Sequence, residues 1–404
     1  MSSEIFKIII TLFGGLALFI YGMNLMSDGL QKAAGEKMKK ILALLTSNPV
    51  FGVLAGAMTT AVLQSSSATT VMVIGFVSAG LMKLPQAISV IMGANIGTTI
   101  TAQLIAFKVG DYAWIFVFVG FIMYFLIKDR EKVKNTGQAI FGFGMLFVGI
   151  NTMGDIMKPL ATSDVFASMM LHMQNTPVIG VLVGTLMTVV VQSSSATIAV
   201  LQNLASTAGP DGVHSIIGLQ GAIPVLFGDN IGTTITAILA SIGASISAKR
   251  AALSHVIFNL SGTLVFIWFI PYIAKFIEFV SPKGPETDVI ARQIANTHLF
   301  FNVTNTLIWL PMIWLLVKIV TKIIPGDDSE KLASEPVYLD FKIIDQSIFA
   351  THLATKELLR ISGFAYNMLI TAKKAFLGSD MSAVKDVMKT EETVNSLQEK
   401  TVNY

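Results

Sequence analysis

A seven-residue phrase occurs twice in this 404-residue chain, as Gln-Ser-Ser-Ser-Ala-Thr-Thr at residues 64–70 and Gln-Ser-Ser-Ser-Ala-Thr-Ile at 192–198. Each copy is a polar island in apolar surroundings: no Asp, Glu, Lys or Arg occurs between Gly52 and Met82, or between Gln174 and Pro210. An amide and three hydroxyls in such a setting cost free energy unless they find partners. Polar groups and irregular backbone at membrane depth persist only where they are buried in protein or line a cavity. The pair is therefore a candidate binding site, and the rest of the chain is read around it.

The setting is a membrane. Hydrophobic residues make up 53% of the chain and charged residues 13%, against roughly 25% charged in an average soluble domain; the mean hydropathy is +0.68. A net charge of +3 is too small to imply a nucleic-acid partner. With no cysteine, disulfides, thiolate metal sites and cysteine nucleophiles are excluded. The serine triplets lack a base nearby and no Gly-x-Ser-x-Gly elbow occurs, so nucleophilic catalysis is not expected and the chain does not read as an enzyme.

Residues 8–27 match a membrane span of ~20 residues and, with no small-residue cleavage pattern behind them, read as a retained helix. A basic cluster follows (Lys37, Lys39, Lys40). Residues 49–63 are short for a span and read as one arm of a broken or re-entrant segment, with 69–82 as its second arm. Further spans are expected at 85–107 and 112–127, closed by a charged loop at 128–134. The plan then restarts. Phe13-Gly14, Gly52, Gly56 and Gln64 return at an offset of 128 as Phe141-Gly142, Gly180, Gly184 and Gln192. Gly-Ala-Asn-Ile-Gly-Thr-Thr-Ile-Thr at 93–101 returns at an offset of 135 as Gly-Asp-Asn-Ile-Gly-Thr-Thr-Ile-Thr at 228–236. Packing glycines alone would not carry Gln-Ser-Ser-Ser with them, so the chain is an internal duplication. Two more spans are expected at 256–274 and 299–317, with an extramembrane loop at 281–292. Each opens on a similar phrase, His255-Val-Ile-Phe-Asn259 and His298-Leu-Phe-Phe-Asn302. An acidic linker (Asp327, Asp328, Glu330, Lys331, Glu335) leads into soluble amphipathic helix, where Leu358, Ile361, Ala365, Met368 and Ala372 form a helical stripe, and a turn at 379–381. Lys318 and Lys322 favour a cytoplasmic tail. The expected fold is all-α: a polytopic helical membrane protein with two inverted-topology repeats (1–135 and 136–326) containing broken helices, plus a small C-terminal helical domain (327–404).

Interrupted apolar segments at matching positions of two halves point to a transporter site at the repeat interface. A broken helix presents unpaired N–H groups and the positive end of its dipole, which bind anions. Two inverted Gln-Ser-Ser-Ser turns together offer six hydroxyls and two amides, a cage suited to a small tetrahedral oxyanion. Neither phrase contains Arg or Lys, so a cation must bind alongside, since an unaccompanied charge in the bilayer interior costs several kcal/mol. The segments 95–101 and 230–236 supply neutral oxygen donors suited to Na⁺, and such co-binding is reciprocal. Asp229, whose repeat counterpart is Ala94, is the sole acidic residue from 215 to 248. It reads as a Na⁺ ligand, a proton acceptor or a carboxylate capping a broken helix. For His255 and His298, interhelical hydrogen bonding is favoured over proton relay.

These paired motifs resemble the type II Na⁺/Pi cotransporter family in its bacterial form, over about residues 10–320. The resemblance implies two inverted repeats whose Gln-Ser-Ser-Ser regions hold phosphate and sodium. It assigns phosphate to Gln64, Ser65, Ser66, Ser67, Gln192, Ser193, Ser194 and Ser195. For Na⁺ it favours Gln192, Ser193, Thr233 and Thr236. The donor chemistry of the motifs adds Gln64, Ser65, Asn95, Thr98, Thr99, Asn230 and Asp229, although Asp229 stands where many relatives carry a neutral residue; no other cofactor is expected. Val109-Gly-Asp111 resembles a segment that in animal members carries an aspartate tied to a further sodium ion. Repeat 1 lacks the His-x-Phe-Phe-Asn phrase that those members have after it. The tail resembles a shortened PhoU-like helical domain. The implied function is Na⁺-coupled symport of inorganic phosphate by alternating access in the plasma (inner) membrane, in contact with lipid and compatible with a homodimer. The alternatives are another oxyanion, proton coupling through Asp229, a membrane-anchored phosphate sensor, or a passive anion channel.

Overall fold

The structure is a computed structural model that describes residues 3–34, 48–78, 80–107, 110–127, 130–161, 168, 170, 175–326, 336–340, 344, 347–378 and 381–404. It is 87% helical, and no strand occurs among the described residues. The basic cluster Lys37, Lys39 and Lys40, the acidic linker from Asp327 to Glu335, and Lys128, Val109 and Ser379 lie outside them.

Helix α1 (Ser3–Ala34) packs along α6 (Glu131–Ala161), and glycine permits it. Gly15, Gly22 and Gly29 recur every seventh residue on α1, as do Gly142 and Gly149 on α6. A Cβ on Gly22 would overlap the Leu146 backbone nitrogen, and one on Gly142 the Met26 nitrogen. Without side chains at these points the two backbones approach closely, the usual way helices associate in lipid.

The two breaks form as the sequence repeat predicts. In repeat 1, α2 (Pro49–Leu63) starts on an Asn48 cap, whose Oδ1 accepts from the Phe51 N–H at 3.0 Å, with proline in its first turn. It ends where Gln64 turns left-handed (φ 51°), and α3 (Ser66–Ser78) begins two residues later. In repeat 2, α7 (Pro177–Val191) ends at Gln192 (φ 55°), and α8 (Ser194–Ala205) begins behind its Ser193 cap. The 15 residues of α2 or α7 extend only ~22 Å, short of a ~30 Å hydrocarbon core.

Beside each broken pair runs an unbroken helix, α4 (Leu84–Ile105) in repeat 1 and α9 (Gly218–Ser241) in repeat 2. The contacts are themselves duplicated: a Cβ on Gly56 would overlap the Val90 carbonyl, and one on Gly184 the Val225 carbonyl. Each second arm stays packed on the unbroken helix of its own repeat and also crosses to the other repeat. α3 packs on α9 and on α10 (Ile246–Phe266), while α8 packs on α4 and on α12 (Glu286–Trp309). This crossing brings both serine triplets to one place.

Helices α10 and α12 continue through one-turn 3₁₀ segments (Ile267–Phe269, Leu310–Met312) into α11 (Ile270–Val280) and α13 (Ile313–Ile323). Between α4 and α6 lies α5 (Ala113–Phe121), flanked by a 3₁₀ turn at Gly110–Tyr112 and a π turn at Ile122–Leu126. Among the described residues five helical segments are long and apolar enough to cross a membrane, and the outer surface suits lipid: Val190, Trp268 and Phe279 are each about four-fifths exposed. The chain is a multi-pass, all-α membrane protein. The tail forms a hairpin of α14 (Ser347–Gly378) and α15 (Met381–Val402).

Several sequence expectations need correction. The helix after the 281–292 loop begins at Glu286, so the connection is only 281–285, because Glu286 and Asp288 favour a helix first turn. The spans expected at 256–274 and 299–317 are the middles of longer helices, and His255 and His298 are buried within them. The second arm of the first break is Ser66–Ser78, earlier than 69–82, because the serines themselves start the helix. The 135/136 repeat boundary falls inside α6. In the tail, Leu358 is exposed, whereas Ile361, Ala365, Met368 and Ala372 of the expected stripe are half-buried and continue the face that Phe349, Leu353 and Glu357 bury.

Candidate binding site at the two helix breaks

The left-handed glutamines are the only non-glycine residues with positive φ among the described residues. That conformation costs an ordinary residue ~1–2 kcal/mol, and its occurrence at matched positions marks where the fold stores strain. Each turn ends one helix and starts the next almost at once. The Ser65 hydroxyl accepts from the Ala68 N–H at 3.1 Å, and Ser193 from Ala196 at 3.3 Å. A threonine pair joins the arms of each break, Thr60 to Thr69 at 2.9 Å and Thr188 to Thr197 at 3.1 Å.

The two breaks meet in one cavity of about 240 Å³. Gln64, Ser65, Ser66, Ser67, Gln192, Ser193, Ser194 and Ser195 all line it, with Val191 and, from α1, Ile20, Met23, Asn24 and Ser27. The N–H groups of Ser66, Ser67, Ser194 and Ser195 belong to first helical turns and have no intrahelical acceptor. Two helix N-termini therefore converge on a space lined by hydroxyls and amides, with no charged side chain in its wall. The halves are not equivalent. Gln64 is buried, its Oε1 accepting from Thr101 at 2.9 Å, whereas Gln192 is exposed and its side chain makes no hydrogen bond.

The remaining sodium candidates are held elsewhere. Thr236 reaches the site, donating to the Ser67 hydroxyl across the repeat interface at 3.2 Å. Thr98, Thr99 and Thr233 donate to carbonyls of their own helices. Asn95 Oδ1 accepts from the His255 ring Nε2–H at 3.1 Å, bearing out the interhelical role expected of that histidine. Asn230 Oδ1 accepts from Asn302 at 3.3 Å, and His298 accepts from Asn302 only through its backbone carbonyl. None of these lines the cavity.

Asp229 lies mid-helix in α9, fully buried, so it caps no broken helix. Its Oδ1 accepts from the Thr188 hydroxyl at 2.6 Å, and its Oδ2 has no partner. Asp111 lines a different cavity with Gln202 and Asn203. Sequence reasoning missed Asn24 and Ser27, and took Thr101 only as the end of the donor segment 95–101 without singling it out. The first two are polar residues within the apolar run 8–27, and Thr101 closes the motif whose repeat copy ends on Thr236; those were the available signals.

Breaks of this form, duplicated and facing one polar cavity inside a lipid-facing bundle, define a membrane transport protein rather than an enzyme. The Na⁺/Pi-cotransporter family model matches residues 18–155 and, a second time, 149–277, and the chain belongs to that family. The double match follows the internal duplication. It is similar to YqeW of Bacillus subtilis, named as uncharacterized, at 33% identity over 66% of this chain and 84% of the relative. YjbB of Salmonella typhimurium, whose name assigns it to inorganic phosphate export, is 24% identical over 96% of this chain and 68% of its own length. Sodium-dependent phosphate transport protein 2A of Rattus norvegicus is 38% identical over 24% of this chain and 16% of the relative. No solved structure matches.

Proposed function

We propose that the chain is a secondary transporter that moves inorganic phosphate together with Na⁺ across the bacterial plasma membrane by alternating access of two inverted repeats. The observation that carries this reading is the single cavity lined by both Gln-Ser-Ser-Ser breaks without one charged side chain. Two helix N-termini contribute about half a positive charge each. A phosphate ion carries more negative charge than that at neutral pH. The deficit calls for a small cation in the same space, and the unpaired oxygens there suit it. Anion and cation then raise each other's affinity, which is the physical basis of coupling.

In this scheme the Ser66, Ser67, Ser194 and Ser195 N–H groups and hydroxyls hold the phosphate oxygens. The Gln64, Ser65, Gln192 and Ser193 oxygens, with Thr236 at the rim, face the Na⁺. The exposed Gln192 marks the half that rearranges on binding, while Gln64 stays clamped by Thr101. A second reading concerns direction. The relative that aligns over 96% of this chain is named for export, and a coupled carrier runs whichever way its gradients dictate.

The test is radiolabelled phosphate flux in proteoliposomes with Na⁺ or K⁺ outside, and with the Na⁺ gradient in either orientation. Accumulation that needs inward Na⁺ supports the symporter. Flux indifferent to Na⁺ retires cation coupling, and net efflux under every gradient favours export.

A further inference from the structure

The duplication lets one face of the molecule be compared with the other. On one face, Ile105, Ala106, Gln202, Asn203, Ser206 and Ala291 line a cavity of about 240 Å³ that reaches the surface beside Phe107, itself 53% exposed. Its α8 residues lie about 6–12 Å along that helix from the binding serines. The two cavities share α8 but no lining residue, so this one would serve the binding cavity as an outer vestibule.

The repeat offsets of 128 and 135, together with the offset of 43 relating His255 to His298, locate its counterpart on the opposite face. Ile105, Gln202, Ser206 and Ala291 map onto Ala240, Ile74, Ser78 and Ala248. That second position is filled. Ile74, Ala240 and Ala248 belong to one buried cluster with Phe349 and Leu353 of the tail helix α14. The Phe349 ring meets Phe76 edge-on at 5.7 Å between centroids, and Leu353 is wholly buried.

The tail helix is fastened there. One turn beyond Leu353, the buried Glu357 accepts from the Val337 and Tyr338 N–H groups at 3.0 and 2.8 Å and pairs with Arg360 at 2.6 Å. Tyr338 packs against the same cluster, and the Tyr404 hydroxyl at the chain's end donates to the Asp340 carbonyl at 3.1 Å.

We propose that α14 is an autoinhibitory strap: Phe349 and Leu353 plug the repeat counterpart of the open vestibule, and transport reaches its full rate only when the strap lifts. The inference rests on the transport reading for its effect on flux, but the plug itself is a matter of access. A strap of this kind changes the population of transport-competent molecules and leaves the binding cavity intact. It therefore alters maximal rate more than phosphate affinity.

The chain has no native cysteine, so introduced thiols are unique. Three full-length variants test the strap: the pair Phe76→Cys with Phe349→Cys, the single Leu353→Asp, and Ser241→Cys (the counterpart of Ala106) with and without Leu353→Asp. Crosslinking the pair with a short bifunctional thiol reagent should lower initial phosphate flux by about threefold or more, and Leu353→Asp should raise it by about threefold or more with KM changed by less than about twofold. Ser241→Cys should resist a water-soluble maleimide while Leu353 is present and react once Leu353→Asp is added. Equal flux with and without the crosslink, or equal labelling with and without Leu353→Asp, overturns the strap. If every variant is silent for phosphate while labelling still switches, the transport reading fails and the strap stands.

Discussion

Ser194→Ala separates ligand binding from fold maintenance at the second break. Ser194 is the first residue of α8, 8% exposed, and its hydroxyl faces the cavity without a hydrogen bond inside the protein. Removing it leaves the helix start unchanged and costs the bound anion one hydrogen bond. A bond to a charged acceptor contributes ~1.5–3 kcal/mol, which at ~1.4 kcal/mol per decade corresponds to about 10–150-fold weaker phosphate binding. The adjacent Ser193 behaves oppositely, because its hydroxyl already accepts from the Ala196 N–H as the helix cap. Ser193→Ala should cost ~1 kcal/mol of stability and weaken binding less than Ser194→Ala does. Initial phosphate uptake in proteoliposomes gives KM for both variants, and thermal unfolding in detergent gives stability. The reasoning fails if Ser194→Ala leaves KM within about twofold of wild type, or if Ser193→Ala weakens affinity as strongly.

Three further outcomes are expected. Thr188→Val should destabilise more than its repeat counterpart Thr60→Val, by ~3 against ~1 kcal/mol, because Thr188 is the one partner of the buried Asp229 carboxyl whereas Thr60 meets only Thr69; equal losses in Tm would refute this. Gly184→Ala should cost ~1–3 kcal/mol by forcing α7 off the Val225 carbonyl, with Gly56→Ala matching it in repeat 1, and wild-type stability in either would contradict the packing. In the exposed 208–216 loop, the Asp211 carboxylate pairs with the His214 ring at 2.6 Å and raises the histidine above its ordinary 6.5; Asp211 itself is held at about 2 by the Val213 N–H first and the His214 ring next. The loop's added order is then complete below pH 6.5 and fades as pH rises through the raised histidine value. Asp211→Asn should return His214 towards 6.5 in an NMR titration, and an unmoved titration would exclude the pair as the cause.

Where the helices break, and that they break twice, were legible in the local pattern of residues. Gln-Ser-Ser-Ser inside charge-free apolar runs cannot continue an unbroken lipid-facing helix at no cost, and the fixed offset between copies shows that one solution was used twice. The bounds 49–63 for the first arm follow from Asn48, Pro49 and the glutamine that ends it, all local chemistry. Short-range rules also pointed to unpaired N–H groups at a broken helix, but they began the second arm of the first break at residue 69 rather than at Ser66. They could not decide which oxygens share a space. The Asn-Ile-Gly-Thr-Thr segments carry the right donors for Na⁺, yet Asn95 turns to His255, Asn230 to Asn302, and Thr98 and Thr233 to their own helices. Only Thr101 and Thr236, one helical turn or so further on, reach the breaks. Asn24 and Ser27 line the cavity from α1, and which polar residues of that helix face the breaks is decided by its packing against α2 and α8. The crossing of α3 and α8 onto the opposite repeat, the burial of Asp229 and the docking of Phe349 against Phe76 are likewise products of packing. Each depends on distances between segments far apart in the chain, and a local pattern carries no information about those.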